Sequence, residues 1–115
     1  MPYDLKLADR IREYLSAIPA LHIEEKEMFR GLTFMVNGKM CVSVSGDKLM
    51  CRFDPQRNDE VAERPGFENM IMQGRVYKGF GYIRPEGFKS KQDFKYWLDL
   101  CLEYNPKAKS SRKKK

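Results

Sequence analysis

Cys41, Cys51, Cys101 and His22 are the side chains of this 115-residue chain best suited to nucleophilic or metal chemistry. Three cysteines at irregular spacing match neither a disulfide framework nor a zinc site, and reduced thiols follow. Cys41 falls on the solvent side of its strand in the pairing given below, so it is expected to be the most accessible thiol. Nothing in the sequence lowers its pKa. The single histidine has no Cys, His or Asp partner at a recognisable spacing and is read as structural. Glu24, Glu25 and Glu27 could do acid-base work as paired carboxylates, but nothing near them supplies a pocket and a solvated strand is expected. Gly74, Gly79 and Gly81 make no Walker loop, because no Gly-Lys-Ser/Thr follows, and no dinucleotide fingerprint, because no parallel βαβ unit surrounds them. No catalytic, cofactor-binding or metal-binding residue is assigned, and an enzyme is not expected.

Cations and aromatic rings offer a second chemistry, contact with nucleic acid. Lys78 to Ile83, KGFGYI, follows the RNP1 pattern of RNA-recognition domains, in which such aromatics stack on bases. The surrounding order fails that fold, since the following helix leads only to a tail and Pro85 stands where a third aromatic belongs. Lys78, Phe80 and Tyr82 remain candidate contacts on another scaffold. Lys107, Lys109, Arg112, Lys113, Lys114 and Lys115 carry the whole formal charge of +6; without them 16 basic residues face 16 acidic ones. Six such cations would give weak, sequence-independent binding with a log-log salt slope of about −5 on duplex DNA. Arg52, Arg64, Arg75, Lys78 and Arg84 would form a second anion site only if the strands gather them.

The elements that must position these residues are legible. Leu7, Ile11, Tyr14, Leu15 and Ile18 recur at helical spacing until Pro19 stops the run. MFRGLTFMVNGKMCVSVSGDKLMCRF, residues 28 to 53, sets three apolar runs between Asn37-Gly38 and Gly46-Asp47, an antiparallel meander. A two-residue loop at Gly46-Asp47 pairs Val44 with Leu49, Val42 with Cys51 and Met40 with Phe53 on an apolar side. Ser43, Ser45, Lys48 and Arg52 then share a wet side. The same loop at Asn37-Gly38 would turn Leu32 and Phe34 away from the core. A bulge at left-handed Gly38 repairs the parity; the competing reading is a regular turn and a first strand covered on both sides.

Asp54-Pro55 reads as a helix cap with proline at the first position, and Pro65-Gly66 closes that short helix. A brief strand is expected at Met70 to Gln73 and a longer one at Val76 to Ile83, where Gly79 and Gly81 share a face and a neighbour must approach them closely. Ser90 caps a last helix with Phe94, Trp97, Leu98, Cys101 and Leu102 in one stripe, ended by Pro106. The order predicts an α+β domain over residues 1–106, a mainly antiparallel sheet packed in two layers against N- and C-terminal helices. Residues 107–115 are expected to form a disordered basic tail. No apolar stretch approaches a bilayer span and no leader pattern is present, so a cytoplasmic protein is expected.

With these residues in hand, the chain resembles the N-terminal domain of the TfoX/Sxy family of bacterial competence regulators, from about Met28 to Asn105. The markers are MFRGLTFMVNGKMCVSV, Asp47-Lys48-Leu49, Arg64-Pro65-Gly66, Gly74-Arg75 and Lys78-Gly79-Phe80-Gly81-Tyr82 leading to Pro85-Glu86-Gly87. Arg30 stands where the family commonly has the first of two glycines. The resemblance is to that domain standing alone, without the helical C-terminal domain of full-length regulators. It implies a secretion-chaperone-like fold and gene regulation through protein contacts rather than catalysis. No cofactor is expected, and a homodimer is one form such contacts would take. The alternative is a weak nucleic-acid binder using the tail and the Lys78-Phe80-Tyr82 strand.

Overall fold

Asp4 starts the first helix, its carboxylate accepting from the backbone N–H groups of Lys6 and Leu7 at 2.9 and 3.3 Å. The computed structural model describes residues 3–19, 21–28 and 31–107. In chain order the elements are α1 (Leu5–Ser16), β1 (Ile23–Met28), β2 (Gly31–Val36), β3 (Lys39–Ser45), β4 (Lys48–Arg52), α2 (Asn58–Val61), β5 (Phe67–Met72), β6 (Arg75–Ile83) and α3 (Lys91–Tyr104). The strands form one antiparallel sheet in the order β1-β2-β3-β4-β6-β5. Helices α1 and α3 lie side by side on one face, where Tyr14 meets Phe94 edge-on at 6.1 Å and its hydroxyl donates to Asp99. This is the expected two-layer α+β arrangement. The strand expected at Met70 to Gln73 is longer and begins earlier, at Phe67.

One core fills the space between sheet and helices. Trp97 is fully buried there, and its indole N–H donates to the Gly87 carbonyl at 3.0 Å. Phe34, Phe53, Ile11, Leu15, Leu49, Ile83 and Leu98 are buried with it. Arg12 fastens α1 to β1 through a forked pair with Glu25 at 2.6 and 2.8 Å. That hydrogen bonding holds the Glu25 carboxyl below its ordinary range. The last described turn is tied down as well. Asn105, buried, donates to the Val36 carbonyl at 3.1 Å, and the Lys39 ammonium donates to the carbonyls of Asn105 and Pro106 at 3.2 Å.

The meander pairs Val44 with Leu49 and Val42 with Cys51 as expected, but the Asn37-Gly38 turn does not carry the bulge expected at Gly38. Val36 pairs with Lys39 across a two-residue turn in which both Asn37 and Gly38 have positive φ, 54° and 82°. Asparagine tolerates that conformation. The His22 backbone clasps the turn, donating to Asn37 Oδ1 at 3.0 Å and accepting from its N–H at 2.8 Å. The parity conflict is absorbed further along, where Phe34 pairs with Val42 and Met35 with Met40, leaving Cys41 as the extra residue.

Moving the bulge from Gly38 to Cys41 has two consequences. Met40 leaves the Phe53 side for the outer face, and Cys41 turns into the core, 1% exposed, so it is not the accessible thiol. The outer face is also drier than its composition suggests. Lys26, Thr33, Ser43, Met50, Tyr82 and Glu68 form one cross-strand row, and Thr33, Ser43 and Met50 within it are buried. Ser43 donates to Thr33 at 2.9 Å, which satisfies both hydroxyls. All six residues of β2 are buried, as the competing reading of a strand covered on both sides requires.

Candidate functional site

Glycine and an irregular strand build the most distinctive surface. Gly81 and Gly79 leave the core face of β6 bare. A Cβ on Gly81 would stand 2.3 Å from Phe67 Cε1, and one on Gly79 3.0 Å from Pro55 Cγ. The close neighbours expected at these glycines are therefore Phe67, which stacks on Trp97 at 6.1 Å, and Pro55. The ladder with β5 breaks at this point. Asn69 pairs with Gly81 and Ile71 with Val76, so Tyr77 to Phe80 face Met70 alone.

Asn58 of α2 holds this wide bulge, its Oδ1 accepting from the Gly79 N–H at 3.3 Å. A 3₁₀ turn, Pro55–Arg57, leads into α2, and Asp54 caps that turn by accepting from Gln56 N at 3.0 Å. Because of the bulge, Tyr77 folds back onto Phe80, the rings 5.1 Å apart and 6° from parallel.

On the outer face these rings, with Tyr82, wall an open groove of about 360 Å³. Met40, Met50 and Met70 line it, and Ile71 stands at its rim, 57% exposed. Val76 and Tyr77 are each 47% exposed, so large apolar side chains project at the end of the β5–β6 hairpin. The groove lining holds no cysteine, histidine or carboxylate. A second depression, of about 420 Å³ between α1 and α3, mixes Arg10, Glu13, Lys91 and Lys95 with apolar atoms. Arg10 there donates to the Phe88 carbonyl at 3.2 Å and lies 4.1 Å over Phe94.

Cations border the groove. The Arg52 guanidinium lies 5.7 Å from the Phe80 centroid and donates to the Met40 carbonyl at 3.4 Å. Lys48 is 5.9 Å from the Tyr82 centroid. Arg75 and Lys78 flank Tyr77 along β6, both exposed. Glu68, the nearest carboxylate in this row, is taken up by Arg84 and Lys48 at 2.9 Å each, which hold its carboxyl below the ordinary range.

The candidate anion cluster does not assemble. Arg84 is engaged by Glu68 and Glu86, Arg64 by Asp93 and the Tyr96 ring, and Arg52 by the groove itself. Phe80 and Tyr82 share the outer face and Lys78 is exposed on the same strand, but the Phe80 ring already stacks on Tyr77. Lys107 lies in a 3₁₀ turn, Asn105–Lys107, with its ammonium 4.0 Å from Asp54. Lys109, Arg112, Lys113, Lys114 and Lys115 lie outside the described residues.

The three thiols converge, which their spacing could not reveal. Cys41, Cys51 and Cys101 come from β3, β4 and α3 and are all buried and free. A hydrogen bond with Cys101 and burial push the Cys41 thiol well up; burial does the same to Cys101. Among the described residues no group of three or more ligating side chains could hold a metal ion. His22, with its ring exposed beside Glu24 at 3.4 Å, belongs to the opposite edge of the sheet, so no site gathers it with a thiol.

The fold is thus an open-faced α+β domain with an apolar groove on the outer face of its sheet. The TfoX N-terminal domain model matches residues 13–104, and the chain belongs to that family. The match takes in the last turn of α1 and the whole of β1, where the resemblance began only at Met28. No curated protein matches the chain. Among the described residues no helix is long and apolar enough to cross a membrane.

Proposed function

We propose that this chain is a non-catalytic interaction module that acts in gene regulation in the cytoplasm by docking a protein partner on the outer face of its sheet. The observation that carries this reading is the groove of Met40, Met50, Met70, Tyr77, Phe80 and Tyr82 with Ile71 exposed at its rim. Large apolar side chains held in solvent at the end of a hairpin cost solubility and are kept where a contact uses them. The two sheet edges support the same orientation. Edge strand β1 carries Glu24, Glu25, Lys26 and Glu27, which discourage pairing, whereas edge strand β5 presents Met70 and Ile71. Membership of the TfoX N-terminal family supports the regulatory setting.

A photo-crosslinking residue at Tyr77 tests the reading against one at Glu24 on the charged edge. A discrete protein adduct from position 77 is expected, lost when Ile71→Asp is added. Equal labelling from both positions, or none from position 77, would refute it.

A further inference from the structure

Building on the docking role just described, we infer that the groove's partner is an acidic protein segment carrying apolar anchors. The lining decides the apolar half. Met40, Met50 and Met70 supply unbranched, polarisable side chains that repack around varied shapes, the chemistry of grooves that accept peptide side chains. Charge decides the other half. Arg52 stands at the border, its guanidinium 5.7 Å from the Phe80 centroid, Arg75 and Lys78 are exposed on either side of Tyr77, and neither of these two has an ion-pair partner among the described residues. The nearby carboxylate, Glu68, is neutralised by Lys48 and Arg84.

The chain's surplus cations are those from Lys107 onward. Residues 1–106 are formally neutral, and the six cations follow Asn105 and Pro106, whose carbonyls are held by Lys39, the neighbour of groove residue Met40. That run has no apolar side chain larger than alanine with which to fill the groove itself. An apolar trough bordered by positive charge recruits a segment of opposite charge faster and rejects basic ones. Nucleic acid satisfies the charge but not the lining. Phe80 stacks on Tyr77 and lies under Arg52, and Tyr82 lies near Lys48, so the ring faces that a base would use are already engaged.

The test uses the full chain and fluorescence anisotropy with three labelled probes. The first is an amphipathic peptide of about four helical turns with leucine and phenylalanine anchors and glutamate elsewhere; the second replaces every glutamate by lysine; the third is an oligouridine of about ten nucleotides. The acidic peptide is expected to bind at least about tenfold more tightly than its lysine counterpart, and added salt should narrow the gap. Ile71→Asp, at a position too exposed to disturb the core, should weaken the acidic peptide about tenfold with an unchanged urea midpoint. Reversal of both flanking charges, Arg75→Glu with Lys78→Glu, should narrow or invert the preference.

If both peptides bind equally and Ile71→Asp releases both, the acidic preference is wrong while the docking groove stands. The acidic preference also fails, and the groove survives as a self-association surface, if no peptide binds but the protein associates with itself in sedimentation and Ile71→Asp abolishes that. If oligouridine alone binds, or no probe binds and the protein stays monomeric, the inference and the docking role fall together.

Discussion

Replacing Gly81 by alanine tests how the groove strand is fastened to the core. The new methyl would stand 2.3 and 2.6 Å from Phe67 Cε1 and Cζ. Carbon contacts settle at about 3.5 Å or more, so the ring must retreat by about 1.2 Å. It has little room to do so. Trp97 lies parallel to it at 6.1 Å, 14° from coplanar, and Phe53 is tilted against it at 6.1 Å; both are fully buried. Overpacking of this kind costs about 1–3 kcal/mol, offset by about 0.4–1 kcal/mol from the stiffer unfolded chain. A net loss of about 1–2 kcal/mol is expected, a fall of roughly 4–8 °C in Tm for a domain of this size. Urea denaturation read by the fluorescence of the single tryptophan, with circular dichroism as a second probe, gives the free energies. Phe67→Leu on its own should cost on the order of 1 kcal/mol, and combined with Gly81→Ala it should recover at least about 0.5 kcal/mol of the sum. Strict additivity, or an alanine variant as stable as the parent, would show that the ring does not occupy the glycine slot.

Two further measurements address the core and the α1–β1 seam. Native protein is expected to release no thiol to Ellman's reagent under mildly alkaline conditions, and all three in denaturant, because Cys41, Cys51 and Cys101 are buried and the first and third hold their protons tightly. A rapid native reaction would contradict the inward turn of Cys41. Glu25, whose pKa is depressed in the fold, contributes stability that is complete above its unfolded pKa and is lost as pH falls through the folded value. Glu25→Gln should therefore be less stable than the parent at about pH 7, and the two urea midpoints should converge as the pH falls below the ordinary glutamate range. A gap that persists in acid would mean that the Arg12 contact contributes nothing through charge.

Much of this architecture is legible in the sequence because local rules and tertiary demands agree. Proline and cap positions bound the helices, and the apolar stripe from Phe94 to Cys101 lands on the sheet with Trp97 buried. The meander registers beyond Val42 follow from one turn and strict alternation. The position of the bulge does not follow. Gly38 and Cys41 both repair the same parity, and the choice rests on Asn37 accepting a left-handed backbone under the His22 clasp, a contact between residues 15 apart. The groove is hidden for a similar reason. Phe80 and Tyr82 are visible as outward aromatics, but Tyr77 joins them only through the long bulge fixed by Asn58, whose side chain gives no signal in sequence. Placing the bulge at Gly38 turns Met40 inward and Cys41 outward together, so a single misplaced residue conceals both a groove methionine and a core thiol.

Tyr77 to Phe80 answer to a single residue of β5, whereas Tyr82 and Ile83 keep regular partners on both sides. Slack chain in β6 is thus concentrated beside the groove and absent from the rows of Tyr82 and Ile83. A relative could lengthen, shorten or recolour that stretch without disturbing the Leu49–Ile83 pair, so the scaffold separates the part of β6 that specifies a partner from the part that must never change.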